Sequence, residues 1–126
     1  MSNTKDITLS DFEQMKQEGG LYLLDFWATW CPPCKMMGPI IDDLSKDEDL
    51  SKINFVKVDT DQENELASQF GIRSIPTFLL INFKGKGKFD KETDIVHKII
   101  GAKSAFDFKM ELQEVLSKLE NQEENA

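Results

Sequence analysis

The chain has 126 residues, 40% hydrophobic and 30% charged, with a formal net charge of -8; this fits one domain able to bury a single core without staples. An acidic surface of that size argues against binding nucleic acid or an anionic membrane, since both need Lys and Arg against phosphates. No run approaches the about 18 apolar residues of a membrane span, and residues 1–20 hold no basic segment followed by an apolar run, so no signal peptide is visible and a cytoplasmic location is expected.

Residues 1–6 are polar and expected to be loose. Ser10-Asp11-Phe12-Glu13 reads as a capping box, with Ser10 as N-cap and Glu13 three residues on. The helix that follows carries Phe12 and Met15 on one face and stops at Gly19-Gly20. Leu21 to Phe26 is nearly all apolar rather than alternating, the pattern of a strand buried on both faces, and Asp25 inside it is an anomaly. Met37, Ile40, Ile41 and Leu44 then recur with helical spacing, with Pro39 among them as a source of a kink. Asp42-Asp43 reads as part of a solvated face.

Ile53 to Asp59 is a second strand, Glu63 to Phe70 a short helix ended by Gly71, and Thr77 to Ile81 a third strand introduced by Ile75-Pro76. Lys84-Gly85-Lys86-Gly87-Lys88 marks a turn, followed by a charged segment through Asp94 expected to be loose. Ile95 to Ile100 is a fourth strand ending at Gly101. Ser104 caps a last helix striped by Phe108, Leu112, Val115, Leu116 and Leu119, and an acidic tail at 120–126 is expected to fray. Strand–helix–strand units followed by a hairpin imply an α/β fold: a mixed sheet with helices on both faces.

The chain's two cysteines, Cys31 and Cys34, lie at the junction between the first apolar run and the helical pattern, separated by Pro32-Pro33. A structural disulfide here closes a loop of only four residues, for which the chain-entropy relation gives roughly 2 kcal/mol, a weak motive. Zinc or an iron–sulfur cluster wants four ligands, and the chain offers no third Cys and a single His, His97, so no metal is expected unless a cluster is shared between two chains. A redox pair accounts for more of the local sequence. With Cys31 as N-cap, the prolines occupy the first two helical positions, whose N–H groups have no intrahelical partner in any case. The N–H of Cys34 is free to point at the Cys31 sulfur. That hydrogen bond and the helix dipole favour thiolate and lower the thiol pKa toward roughly 7 in such motifs. Cys31 is then the attacking thiolate, and Cys34, expected to be the less exposed, the resolving thiol.

Leu24-Asp25-Phe26-Trp27-Ala28-Thr29-Trp30-Cys31-Pro32-Pro33-Cys34-Lys35 resembles the active-site segment of the thioredoxin family, and Gly71-Ile72-Arg73-Ser74-Ile75-Pro76-Thr77 resembles its cis-proline loop. Val56-Lys57-Val58-Asp59 and Ile100-Gly101-Ala102 match further segments in the right order. The resemblance covers about residues 7–119, taken as the domain between the N-terminal 1–6 and the tail 120–126. It implies a central sheet of four to five strands flanked by about four helices, dithiol–disulfide exchange as the activity, and no bound cofactor. It also implies roles: Asp25 as a buried carboxylate beneath Cys34 that accepts its proton, Lys57 as the charge near Asp25, Pro76 as a cis proline facing the thiols, and Trp30, Ile75, Gly101 and Ala102 as an apolar docking surface for disulfide-containing protein substrates. Trp27 is sufficiently explained by packing.

The resemblance further implies a monomer that reduces protein disulfides and is re-reduced by a flavin- and NADPH-dependent thioredoxin reductase. Pro-Pro between the cysteines, where Gly-Pro is commonest in the family, is also similar to exported or membrane-linked relatives that keep cytochrome c apoproteins reduced, for which a membrane electron donor would replace the reductase. A docking module using the same surface without turnover is the third possibility.

Overall fold

A computed structural model describes residues 4–124. Among them the order is β1 (Lys5–Asp6), α1 (Leu9–Glu18), β2 (Gly20–Trp27), α2 (Pro32–Leu44), a 3-10 turn at Glu48–Leu50, β3 (Asn54–Asp59), α3 (Asn64–Gln69), β4 (Thr77–Phe83), α4 (Lys91–Asp94), β5 (Ile95–Ile100) and α5 (Ala105–Glu124). The strands form one mixed sheet in the order β1-β3-β2-β4-β5. The pairs β1–β3 and β2–β3 are parallel, and β2–β4 and β4–β5 antiparallel. No described helix is long and apolar enough to cross a membrane.

The continuous apolar run of β2 follows from its central place. Leu23 packs on one face with Met37 and Ile41 of α2 and Phe108 and Leu112 of α5. Leu24 and Phe26 pack on the other with Phe12 of α1 and Leu66 of α3. A strand with a core on each face has no use for alternation. The stripe expected on the last helix is present, with Phe108, Leu112, Val115 and Leu116 buried, and Ser104 Oγ accepts the Asp107 N–H at 3.1 Å.

Four expectations are corrected. The first helix is capped by Thr8, not Ser10: the Asp11 N–H donates to Thr8 Oγ1 at 3.1 Å, and the Thr8 N–H donates to Asp11 Oδ2 at 3.0 Å. Two overlapping capping patterns are present in the sequence, and burial selects between them. Starting at Thr8 places Ile7 just before the cap and Phe12 at the fourth helical position, and both enter the same core as a hydrophobic staple. For the same reason Lys5 and Asp6 are not loose. They pair with Val56 and Lys57 as an edge strand, extended by the Ile7 N–H donating to the Lys57 carbonyl at 2.8 Å; residues 1–3 of that segment lie outside the described residues. At the other end, α5 runs on into the expected tail as far as Glu124, with Glu120 paired to Lys52 at 2.7 Å; residues 125–126 of that tail lie outside the described residues.

The segment from Lys84 to Asp94 is the fourth correction. Its Lys86 and Gly87 N–H groups donate to the carbonyls of Gln17 and Lys16 at 2.8 and 3.0 Å, partnering carbonyls that the end of α1 leaves open. Gly19, at φ +80°, lets the backbones meet: a Cβ there would stand 3.2 Å from the Gly85 nitrogen. Phe89 inserts between the rings of Phe12, Phe70 and Phe83, with centroids 5.7, 5.8 and 5.6 Å away. The buried Asp94 carboxylate accepts the Asp90 N–H at 2.9 Å and lies 3.6 Å from Lys84 Nζ.

Candidate active site

The site forms where β2 ends and α2 begins. Cys31 is the N-cap of α2, Pro32 and Pro33 are its first two residues, and the Cys34 N–H donates to Cys31 Sγ at 3.2 Å. The two sulfurs form a disulfide, with Cα atoms 5.2 Å apart. The double proline starts the helix because the donors it lacks are those a helix start cannot use, while the N–H that points at the sulfur is kept.

The expectation that Cys34 is the less exposed cysteine is corrected for the oxidised form: Cys31 is 3% and Cys34 4% exposed. Cys31 is covered from a second segment, its Sγ 3.8 Å from the Ile75 carbonyl oxygen. Ala28, Trp27 and Ile75 complete the apolar enclosure of the pair.

The Ile75–Pro76 peptide is cis. Pro76 is buried, and its carbonyl accepts the Gly101 N–H at 2.9 Å, which brings the start of the β5–α5 connection to the same place. Gly101 is partly exposed and Ala102 exposed. Trp30 stands 64% exposed, with its indole N–H donating to Asp61 Oδ2 at 2.8 Å. A groove of about 360 Å³ beside it is lined by Trp30, Thr60, Ala67, Ile72, Arg73 and Ile75.

Asp25 is 3% exposed, and its Oδ1 is buried without a hydrogen-bond partner. Side chains alternate along a strand, so Asp25 shares a face with Leu23, which packs on Met37 and Ile41. Asp25 lies one step nearer the end of β2 than Leu23, and Cys34 one turn nearer the start of α2 than Met37, which puts the carboxyl beneath the first turns of α2. Burial raises its pKa from the ordinary 3.8 to about 7; Lys57 pulls it down, and Asp6 and Asp42 push it further up.

Lys57 is the register partner of Asp25 on β3. Its ammonium lies 3.9 Å from Asp42 Oδ1 and 5.9 Å from the centre of a Trp27 ring. Trp27 does more than fill space, since its indole N–H donates to Asp6 Oδ1 at 2.8 Å. His97 lies apart from this cluster, on β5, with Nε2 2.6 Å from Glu111 Oε2 of α5. Among the described residues no three His, Cys, Asp or Glu side chains group as a metal site.

The structure therefore brings Cys31, Cys34, Ile75, Pro76 and Gly101 together, while Asp25 and Lys57 are register partners on β2 and β3, with Lys57 beside Asp42 of α2. Asp61, Asp6 and Asp42 escape sequence reasoning. Each is one acid in a charged stretch, and only folding sets it against an indole or a lysine.

A helix N-cap disulfide opposite a cis proline, on a mixed sheet over a buried carboxyl, defines a protein of dithiol–disulfide exchange. A thioredoxin family model matches residues 3–114. The chain is 39% identical over 114 residues to a thioredoxin of Listeria monocytogenes, covering 90% of this chain and 96% of that one. It is 42% identical over 99 residues to thioredoxin 1 of a Nostoc species, covering 78% and 90%. The structure matches a crystal structure of Malassezia sympodialis thioredoxin with a TM-score of 0.71 at 29% identity, covering 90% of this chain and 91% of that one. The chain belongs to the thioredoxin family and is a thiol–disulfide oxidoreductase.

Proposed function

We propose that the chain is a general protein disulfide reductase. The Cys31 thiolate attacks one sulfur of a substrate disulfide, forming a mixed disulfide and releasing the other substrate sulfur as thiolate, which takes a proton from water. Cys34 gives its proton to Asp25 and attacks Cys31 Sγ. The second substrate sulfur leaves, and Cys31–Cys34 ends oxidised as the substrate disulfide is reduced by two electrons. Trp30, Ile75, Gly101 and Ala102 form the docking rim, with the Ile75 backbone pairing an extended substrate segment. Pro76 faces the thiols, and the charge of Lys57 bears on Asp25. A thioredoxin reductase returns the dithiol, and the setting is cytoplasmic.

The observation that carries this reading is the Cys34 N–H on Cys31 Sγ at 3.2 Å, because it stabilises the thiolate needed for attack. The test is insulin-disulfide reduction, with and without thioredoxin reductase. Turnover is expected for the wild type and none for Cys31→Ser; reduction that persists in that variant overturns the mechanism, and partner binding that survives Cys31→Ser with Cys34→Ser, without turnover in the wild type, identifies a docking module.

Pro32 favours a second reading, an extracytoplasmic reductant fed by a membrane donor, since the dipeptide between the cysteines sets the relative stability of thiolate and disulfide. No turnover with thioredoxin reductase, despite a potential near the about -270 mV of thioredoxin, supports it; a value near about -120 mV marks an oxidant instead.

A further inference from the structure

The groups around Asp25 are arranged against the pairing that a buried carboxylate ordinarily makes. Its Oδ1 has no hydrogen-bond partner, although the residue in register on the next strand is Lys57. A buried charge is costly unless paired, so the expected outcome is an ion pair between the two. The Lys57 ammonium lies instead by Asp42 Oδ1, at 3.9 Å, and against Trp27. Both contacts are themselves held. Asp42 Oδ1 accepts the Thr4 hydroxyl at 2.7 Å, and the Trp27 indole is fixed by Asp6 at 2.8 Å.

We propose that Asp42 is a positioning residue for the redox reaction: together with Trp27 it holds the Lys57 ammonium off Asp25, which leaves the Asp25 carboxyl unpaired and free to exchange a proton. The inference rests on the reading of Asp25 as the proton acceptor for Cys34. The charged groups bearing on Asp25 are Asp6 from β1, Lys57 from β3 and Asp42 from α2, while β4 presents the uncharged Phe78 in register. Removing Asp42 acts twice in one direction. It deletes a negative charge that disfavours ionisation of Asp25, and it frees a cation that favours it.

The test is a carbon-13 NMR titration of the Asp25 carboxyl in the oxidised protein. It compares wild type, Asp42→Asn and Asp42→Glu, each with Lys57 and with Lys57→Met. Asp42→Asn is expected to lower the Asp25 midpoint by about one pH unit, the low end of what a nearby opposite charge does to a carboxylate. Asp42→Glu restores the midpoint, and without Lys57 the Asn substitution moves it much less. A midpoint that stays or rises in Asp42→Asn overturns the proposal, as does an equal displacement with and without Lys57. The pH profile for resolution of a mixed disulfide by Cys34 separates the two claims. If the titration moves as expected and the profile does not, Asp25 is not the proton acceptor, while the hold of Asp42 on Lys57 stands.

Discussion

The backbone N–H of Cys34 donates to the sulfur of Cys31 across 3.2 Å, and no N–H among the described residues donates to the sulfur of Cys34 in the same way. The two cysteines are equally buried in the oxidised form, so it is this asymmetry in hydrogen bonding, with the position of Cys31 at the helix N-cap, that distinguishes them. A hydrogen bond of this kind, at a helix N-cap, favours thiolate over thiol once the disulfide is reduced. A larger thiolate fraction outweighs the lower intrinsic nucleophilicity of a more acidic thiol, so iodoacetamide is expected to modify Cys31 several-fold faster than Cys34 at about pH 7. Mass spectrometry of partly alkylated protein reads the ratio, and equal modification removes the basis for assigning Cys31 the attack.

The buried Asp25 carboxyl makes stability depend on pH in a definite direction. Its pKa rises from 3.8 to about 7 on folding, because burial penalises the charged form more than Lys57 relieves it. Below pH 4 the group is protonated folded and unfolded, and its contribution is fully present. Between about pH 4 and 7 the unfolded chain ionises while the folded one holds its proton, so stability falls as pH rises through that window. Asp25→Asn removes this slope. The variant is expected to exceed the wild type above pH 7 by at most about 4 kcal/mol, at about 1.36 kcal/mol for each pH unit between the unfolded and folded pKa values, and to lose that advantage below pH 4. Urea unfolding of the oxidised proteins at pH 4 and pH 8 checks it.

Much of this site was legible in the sequence because its parts are local. The thiol pair, the double proline and the strand before them sit within a few residues, and the double proline marks a helix start as the nearly continuous apolar run marks a central strand. Asp25 could be singled out for the same reason, as a charge in a run that is otherwise apolar. The ordered charged loop was not legible. Phe89 stands alone among lysines and acids, and nothing in its neighbours shows that three other phenylalanines, from α1, the end of α3 and β4, leave a place for it. Asp6, Asp42 and Asp61 were hidden by the same circumstance, since surface acids look alike until a partner from another element is set beside them. The choice of Thr8 over Ser10 was decided by burial of Ile7, a tertiary fact that capping chemistry does not contain.

The Trp30 indole is largely exposed and held by one hydrogen bond to Asp61. An exposed ring so held keeps a fixed face toward a docking partner and loses less side-chain entropy when one binds. Asp61→Ala is expected to release it. The cost is about 1 kcal/mol, the net worth of a typical hydrogen bond, which corresponds to a roughly fivefold loss in kcat/KM for insulin reduction, carried by KM. Single-turnover chemistry within a preformed mixed disulfide should be unchanged. A fall in kcat with KM constant would place Asp61 in the chemical step instead.

Phe89 ties the charged segment to the core on the face of the sheet away from the packing of α2. Its ring meets Phe12, Phe70 and Phe83, and the segment around it supplies the N–H groups that satisfy the end of α1. Half-buried as it is, Phe89→Ala is expected to cost about 2 to 3 kcal/mol, somewhat less than a fully enclosed phenylalanine. The loss should appear in the urea midpoint, and amide exchange should speed up at Lys86 and Gly87 as the segment lifts from α1. The Cys31–Cys34 pair belongs to another cluster, so its reduction potential should stay within error of the wild type. A large change in potential would mean that the loop bears on the thiols through Ile75, the side chain packed against both clusters.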